Sequence, residues 1–199
     1  MDILVIRHGQ SEADILNVIE GRADFSLTEL GHKQATKMAE WVNGYMKLDK
    51  IFASPLQRAR QTAEKLSTAT GVPIEFDENL MEWKNGLIAG LPFEEADKKY
   101  PKPNPYFPHT VVYEQESDIE FRARAEIALS KIINENPPDS KIAIVSHGGM
   151  INRLFQSFLR LPTISDIGIS SGDTGIHYWK ISTGGRRVVF ANSLVHLEG

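Results

Sequence analysis

The sequence predicts an α/β fold: a three-layer sandwich with a largely parallel central sheet flanked by helices. Three observations carry this expectation. Short apolar runs of strand length alternate with longer segments whose apolar residues recur at helical spacing, the pattern of strand–helix–strand units. Two of those runs, residues 3–6 and 142–145, each lead into a histidine followed by glycine, in Arg7-His8-Gly9 and Ser146-His147-Gly148-Gly149. The chain has 199 residues, enough for one domain with a substantial core, so a single domain over residues 1–199 is expected.

Residues 3–6 read as a buried strand that delivers polar residues at its C-terminal end. Residues 27–45 read as a helix, with Thr28 as candidate N-cap and Ala35, Met38, Ala39 and Val42 on one face. Residues 51–53 form a second short strand. Ser54-Pro55 then predicts a helix start, with Ser54 as N-cap and proline at the first helical position. That helix runs to about residue 70 and stops at Gly71-Val72-Pro73. Residues 74–76 are a further candidate strand.

The middle differs. Five prolines (Pro92, Pro101, Pro103, Pro105 and Pro108) fall between residues 82 and 110, and only residues 93–100 look helical. An irregular excursion is expected at about 82–117, lying over the active site at one end of the sheet, either as a binding loop or as a plain connector. Residues 118–136 return to helical periodicity, with Phe121, Ala125, Ala128, Leu129 and Ile132 on one face, and Pro137-Pro138 ends the run. Residues 142–145 are a buried strand, followed by His147 and a helix to about residue 161. Residues 175–181 and 188–191 predict a terminal hairpin around Gly184-Gly185.

Composition narrows the function. Apolar residues make up 41% and charged residues 24%, as in an ordinary soluble globular protein. The net charge is −4 and no basic run occurs, which argues against a nucleic-acid partner, since phosphate-backbone binding needs a clustered positive face. A small phosphorylated metabolite needs only a local group of cations. The chain has no cysteine, which excludes disulfides, thiolate metal sites and a cysteine nucleophile. The first residues lack the basic start and long apolar run of a signal peptide, and no apolar stretch is long enough to span a bilayer. A cytoplasmic protein with no membrane partner is the expectation. Oligomeric state is not legible.

The chemistry is suggested by what is present and what is missing. There is no His-Glu-x-x-His pair, no Gly-x-Ser-x-Gly, no P-loop and no evident carboxylate cluster for a metal; no metal and no other cofactor is expected. Two strand ends each present a histidine with glycine behind it, and glycine lets the backbone approach a ligand closely. Phosphoryl transfer suits such a set, because its transition state spreads negative charge that positioned cations stabilise. Arginine grips phosphate with paired hydrogen bonds. Arg7 is one candidate, and Arg58, in the first turns of its helix where the dipole favours an anion, is another. Arg60, two positions on, faces elsewhere around the helix.

These residues resemble the histidine phosphatase superfamily, also called the phosphoglycerate mutase-like family. The likeness lies in Arg7-His8-Gly9-Gln10-Ser11, Glu20-Gly21, Asp24, Leu27-Thr28-Glu29-Leu30-Gly31, Gln34-Ala35, Ser54-Pro55-Leu56-Gln57-Arg58-Ala59, Gln61-Thr62-Ala63, Leu80-Met81-Glu82, Gly86, Gly90 and Ser146-His147-Gly148-Gly149. These matches run in order from residue 3 to about residue 160. The resemblance implies a phosphoglycerate mutase-like fold and roles for the matching positions. His8 would be the nucleophile that becomes transiently phosphorylated, Arg7, Arg58 and His147 would line the phosphate pocket, and Glu82 would be the general acid. Gln10 and Ser11 would add hydrogen bonds, Gly21 a backbone amide, and Gly148 a further substrate contact. Asp173 or Thr174 is a candidate contact near the pocket.

The residues carry demands of their own. His8 must be neutral at its attacking nitrogen, so its other ring nitrogen should donate, with a backbone carbonyl as the expected acceptor. Glu82 would have to hold a proton, which a bound phosphate dianion favours by like-charge repulsion. Asp77, Glu78, Glu94 and Glu95 are nearby rivals, and only the family position singles out Glu82. Some positions depart from the family pattern. Asp14 stands where asparagine is common, Val18 where arginine is frequent, and Ala89 where an acidic residue is usual. Asp14 is expected to point outward or to hold a cation.

The expected activity is hydrolysis of small phosphomonoesters through a phosphohistidine on His8. The alternatives are mutase-type transfer and a non-catalytic phospholigand-binding module. Mutase relatives carry paired arginines in a longer insertion, whereas residues 87–117 here hold Lys98, Lys99 and Lys102 but no arginine. Trp83, Ile88, Phe93, Tyr106 and Phe107 would either line an apolar entrance or pack the excursion onto the core. His109 is open between the pocket edge and the surface.

Overall fold

The computed structural model describes residues 1–198. Its strands are β1 (Asp2–Arg7), β2 (Lys50–Ala53), β3 (Ile74–Phe76), β4 (Lys141–Ser146), β5 (Ile176–Ser182) and β6 (Gly185–Ser193). They form a six-stranded sheet in the order β3-β2-β4-β1-β5-β6. The four strands from β3 to β1 are parallel. The β5–β6 hairpin adds an antiparallel edge. The helices are α1 (Glu12–Leu16), α2 (Glu29–Tyr45), α3 (Gln57–Thr70), α4 (Phe93–Lys99), α5 (Asp118–Asn134) and α6 (Gly148–Phe158). Among the described residues no helix is long and apolar enough to cross a membrane.

The strand period of two divides the core into two layers. Ile3 and Val5 of β1, with Ile142 and Ile144 of β4, pack against Phe121, Leu129, Leu154 and Phe158 from α5 and α6. Leu4 and Ile6, with Ala143 and Val145, pack against Met38, Val42, Ala63 and Leu66 from α2 and α3. Helices therefore cover both faces of the inner strands, which explains why these strands read as continuous apolar runs. Each such side chain removed from water contributes roughly 1.5–3 kcal/mol.

Local signals set most boundaries. Thr28 caps α2 by accepting a hydrogen bond from the Gly31 amide. Gly71 ends α3 at φ 73°, and the terminal hairpin turns where Gly184-Gly185 predicts it. The predicted start of α3 is corrected. Ser54 is not its N-cap; Leu56 holds that position without a side-chain cap, and α3 begins at Gln57. The Ser54 hydroxyl is drawn instead to His147, a tertiary partner that outweighs the local cap. α5 and α6 end at Asn134 and Phe158, two and three residues short of the expected ends. α1 was not expected, although Ser11-x-x-Asp14 signals it: Ser11 and Asp14 form a reciprocal capping box.

Candidate active site

Parallel pairing decides where the functional side chains meet. β1 and β4 are neighbours with Arg7 opposite Ser146, so His8 and His147 leave the sheet side by side. Their rings lie 5.1 Å apart, centroid to centroid, and both are buried. β2 flanks β4 with Ala53 opposite Val145, so Ser54 emerges at the same edge, its hydroxyl 2.8 Å from Nε2 of His147. Three adjacent strands thus end on one site, the place where open parallel sheets bind ligands.

His8 has a defined tautomer. Its Nδ1 lies 2.8 Å from the Gly9 carbonyl, and Nε of Arg58 donates to its Nε2 at 3.3 Å. A carbonyl only accepts and a guanidinium only donates, so Nδ1 carries the proton and Nε2 the lone pair. Burial, then the charges of Arg58 and Arg7, hold its pKa well below the usual histidine value, so the ring is neutral. The backbone carbonyl expected from chemistry is thus the one next door. Gly9 permits this arrangement, because a Cβ there would sit 2.6 Å from the Gly31 carbonyl in the first turn of α2.

Arg58 is fully buried near the N-terminus of α3. Its Nη1 donates to the Ala23 carbonyl at 3.0 Å and its Nη2 to the Gly21 carbonyl at 2.8 Å. Two backbone acceptors therefore lock the fork and aim Nε at His8. Burial lowers its pKa, against the opposing pull of Glu20, Glu82, Asp24 and Asp14; arginine remains charged. Arg7 donates from Nη1 to the Ser171 carbonyl at 3.0 Å and lies 3.3 Å from Asp173. Its Nη2 is 3.8 Å from Asp14, so Asp14 faces a cation as well as capping α1. Nε of Arg7 is buried without a hydrogen-bond partner.

His147 is the residue preceding α6. Burial, followed by Arg58 and His8, keeps its pKa well below the ordinary value, and its Nδ1 is buried without a hydrogen-bond partner. Ser54 accepts from the Leu56 amide at 3.3 Å, and its own proton can be given to Nε2 of His147. In that arrangement the ring N–H is on Nδ1, a donor with no acceptor in the protein.

Glu82 joins this group from the loop before the excursion. Its carboxylate accepts from the amides of Trp83 at 2.8 Å and Gly149 at 2.9 Å. A Cβ on Gly149 would lie 2.4 Å from Glu82 Oε1, so the carboxylate docks on α6 only because that residue is glycine. Of the rivals, Asp77 is occupied by the Asn79 amide, and Glu78, Glu94 and Glu95 are exposed.

Other expected contacts fall differently. The Ser11 hydroxyl is bonded to Glu20 and Asp14 and is fully buried, and it caps α1. The Gln10 amide donates to Gln34 and its side chain accepts from Thr28 at 2.8 Å. Gly21 spends its carbonyl on Arg58. Gly148 lies beside Arg7, whose Nε would be 3.9 Å from a Cβ there. Thr174 is buried, with its hydroxyl on His196 and its amide donating to the His8 carbonyl. Trp83 packs on Phe121, ring centroids 5.1 Å apart, and the Tyr106 hydroxyl donates to Asp118 at 3.1 Å. Ile88 and Tyr106 border a small cavity within the excursion. Phe107 stacks on His109; it and Phe93 are half exposed.

Sequence reading missed three participants. Ser54 was read only as a cap. Glu20 has no role in the sequence motif, yet its Oε2 lies 3.3 Å from Arg58 Nε and 3.7 Å from His8 Nε2. Arg124 on α5 donates to the carbonyls of Asn79, Met81 and Glu82 at 2.8, 2.7 and 3.1 Å and pairs with Glu116 at 2.7 Å. Nothing local marks Arg124, because the carbonyls it binds lie more than forty residues away along the chain.

The comparisons with known proteins accord with this geometry. Residues 3–193 match the histidine phosphatase superfamily (branch 1). The chain belongs to that superfamily. Among relatives of this histidine phosphatase is a protein called uncharacterized phosphatase PhoE from Bacillus subtilis, 31% identical over 152 residues that cover 76% of this chain and 74% of that one. A mycobacterial glucosyl-3-phosphoglycerate phosphatase in complex with VO3 superposes with a TM-score of 0.82 at 25% identity, covering 96% of this chain and 99% of that one. A phosphoserine phosphatase mutant from Entamoeba histolytica in complex with phosphoserine gives a TM-score of 0.80 at 27% identity, with 98% of both chains covered. Histidine phosphatases are metal-independent enzymes, and this chain is an enzyme of that kind.

Proposed function

We propose that this enzyme hydrolyses small phosphomonoesters in two steps through a phosphohistidine on His8. The observation that carries the proposal is the defined tautomer of His8: a buried, neutral imidazole whose proton is held by Gly9 and whose bare Nε2 faces Arg58. In the first step the Nε2 lone pair attacks phosphorus, the bond from phosphorus to the ester oxygen breaks, and Glu82 gives its proton to that leaving oxygen. In the second step water attacks phosphorus, its proton passes to Glu82, and the phosphorus–nitrogen bond breaks to restore the lone pair on His8.

The surroundings suit charge developing on phosphoryl oxygens. Arg58 Nε moves its hydrogen bond from His8 to an oxygen, while Arg7 Nε and Nδ1–H of His147 supply donors that no protein group uses. Gln10, Gly21 and Gly148 complete the lining. The excursion forms one wall of the site within the same domain. It is pinned by backbone hydrogen bonds between Ile19 and Leu91 and between Gly90 and Ile19. Substrates are small phosphorylated metabolites, the class to which the phosphoserine and glucosyl-3-phosphoglycerate named for the relatives belong.

The test is turnover of para-nitrophenyl phosphate in excess chelator, with a rapid alkaline quench and mass spectrometry of the peptide containing His8. Turnover together with a phosphoryl group on that peptide is expected, and both vanish in His8→Ala. Near-normal turnover by His8→Ala would overturn the covalent route.

A further inference from the structure

The loop between α1 and α2 places an anion inside the anion-binding group. The Glu20 carboxylate bonds to the Ser11 hydroxyl, and its Oε2 lies 3.3 Å from Nε of Arg58 and 3.7 Å from Nε2 of His8. The reaction proposed above requires phosphorus to approach that same nitrogen, with its oxygens fanned around the line of attack at about 3–3.5 Å. The Glu20 oxygen, 3.7 Å from that nitrogen, stands just beyond this distance, where a phosphoryl oxygen has to pass, and 3.3 Å from the one Arg58 nitrogen that is not locked onto backbone carbonyls. A phosphate dianion and a carboxylate sharing one guanidinium nitrogen repel each other.

We propose that Glu20 sets the affinity of the site for phosphate, acting as an internal competitor for Arg58 that gives way by taking up a proton. Once protonated, the carboxyl oxygen donates a hydrogen bond to a phosphoryl oxygen instead of repelling it. This rests on the phosphate-pocket reading of the previous subsection. The charged and titratable groups around Glu20 are Arg7 and His8 at the end of β1, Asp14 on α1 and Arg58 on α3. Burial of Glu20 raises its pKa, and Asp14 adds to this against the pull of Arg58, the Ser11 hydrogen bond and Arg7, so a proton is held more readily than on a free glutamate.

The test compares the Kd of inorganic phosphate for wild type and Glu20→Gln by calorimetry across about pH 5 to 8, where each unit of coupled protonation is worth about tenfold. Glutamine keeps the shape and an acceptor for Ser11 but carries no charge. The second ionisation of phosphate is common to both proteins and cancels in their ratio. The expected ratio of wild-type to variant Kd is close to one at the acid end and at least about tenfold at the alkaline end. KM for para-nitrophenyl phosphate should fall in the variant by a similar factor, more than kcat changes. Glu20→Ala, checked for folding by circular dichroism, should bind more tightly in the same sense. A ratio that stays at one or below at the alkaline end, with phosphate bound by both proteins, overturns the role of Glu20 alone. Failure of both proteins to bind phosphate at any pH overturns the pocket reading and this one together.

Discussion

The two halves of the site are held in place by different means. His8, His147 and Ser54 sit one residue beyond adjacent strands, and their spacing follows from sheet register: Arg7 opposite Ser146 and Ala53 opposite Val145. Glu82 lies on irregular backbone. It is held by the Gly149 amide, its neighbour's amide, Arg22, and the Arg124 guanidinium, which gathers the carbonyls of Asn79, Met81 and Glu82. A strand-end residue is positioned by the shared ladder and by the apolar contacts of its strand, whereas the proposed acid is positioned by a few polar contacts from distant parts of the chain. The nucleophilic half should therefore tolerate remote substitutions, and the acid half should not.

Three measurements sharpen or break this contrast. The largest effect is expected at Arg58, which serves the strand-end half directly. Arg58→Ala should lower kcat on the order of 10²–10³, the cost of one preorganised donor to a developing oxyanion, while circular dichroism stays native. A loss under tenfold would mean that Arg58 acts on structure more than on charge.

Arg124 comes next. Its guanidinium binds the backbone that carries Glu82, so it is a positioning residue. Arg124→Gln should lower kcat for an alkyl phosphate on the order of 10²-fold, as misplacement of a catalytic group does. Para-nitrophenyl phosphate, whose leaving group needs no proton, should lose much less. Equal losses on both substrates would show that Arg124 supports the fold generally and would erase the distinction between the two halves.

The smallest effect concerns stability against pH. His8, His147, His177 and His196 all have pKa values depressed by burial, with His177 and His196 lowered from 6.5 to about 4. Between those values the unfolded chain binds protons that the fold refuses. Stability is therefore full above 6.5 and is lost as pH falls toward 4, at up to about 1.4 kcal/mol per pH unit for each histidine. His8 and His147 belong to the strand-end half, His177 lies on β5, and His196 sits in the short turn that follows β6. Tm should fall between pH 7.5 and 5 in the wild type and fall less in a variant with His177→Gln. An unchanged slope would place the acid sensitivity elsewhere.

How much was legible follows the same division. Periodicity exposes α2 and α5, because each buries one helical face, start and stop signals expose α3, and continuous apolar runs expose β1 and β4, because helices cover both of their faces. The histidines were found because glycine follows each at a strand end. The start of α3 was misread because Ser54 has a better partner in His147 than in its own helix, and no local rule contains that partner. Ser11 also caps α1, a role carried in the sequence by the four-residue capping box Ser11-x-x-Asp14. Glu20 and Arg124 were given no role, since a carboxylate in an anion site and a clamp on distant carbonyls follow no local pattern.

By itself the sequence determined the alternation of strands and helices, the absence of thiol chemistry and the residue types available for phosphoryl transfer. Tertiary structure alone decided that His8 and His147 stand 5.1 Å apart, that the first is neutral with its lone pair on Nε2, and that Glu20 and Glu82 act on Arg58 from different loops. Local preferences act over a few residues, so they can fix a helix or a turn. Distances between side chains more than a hundred positions apart are set only when strands pair in register and burial removes the water between them.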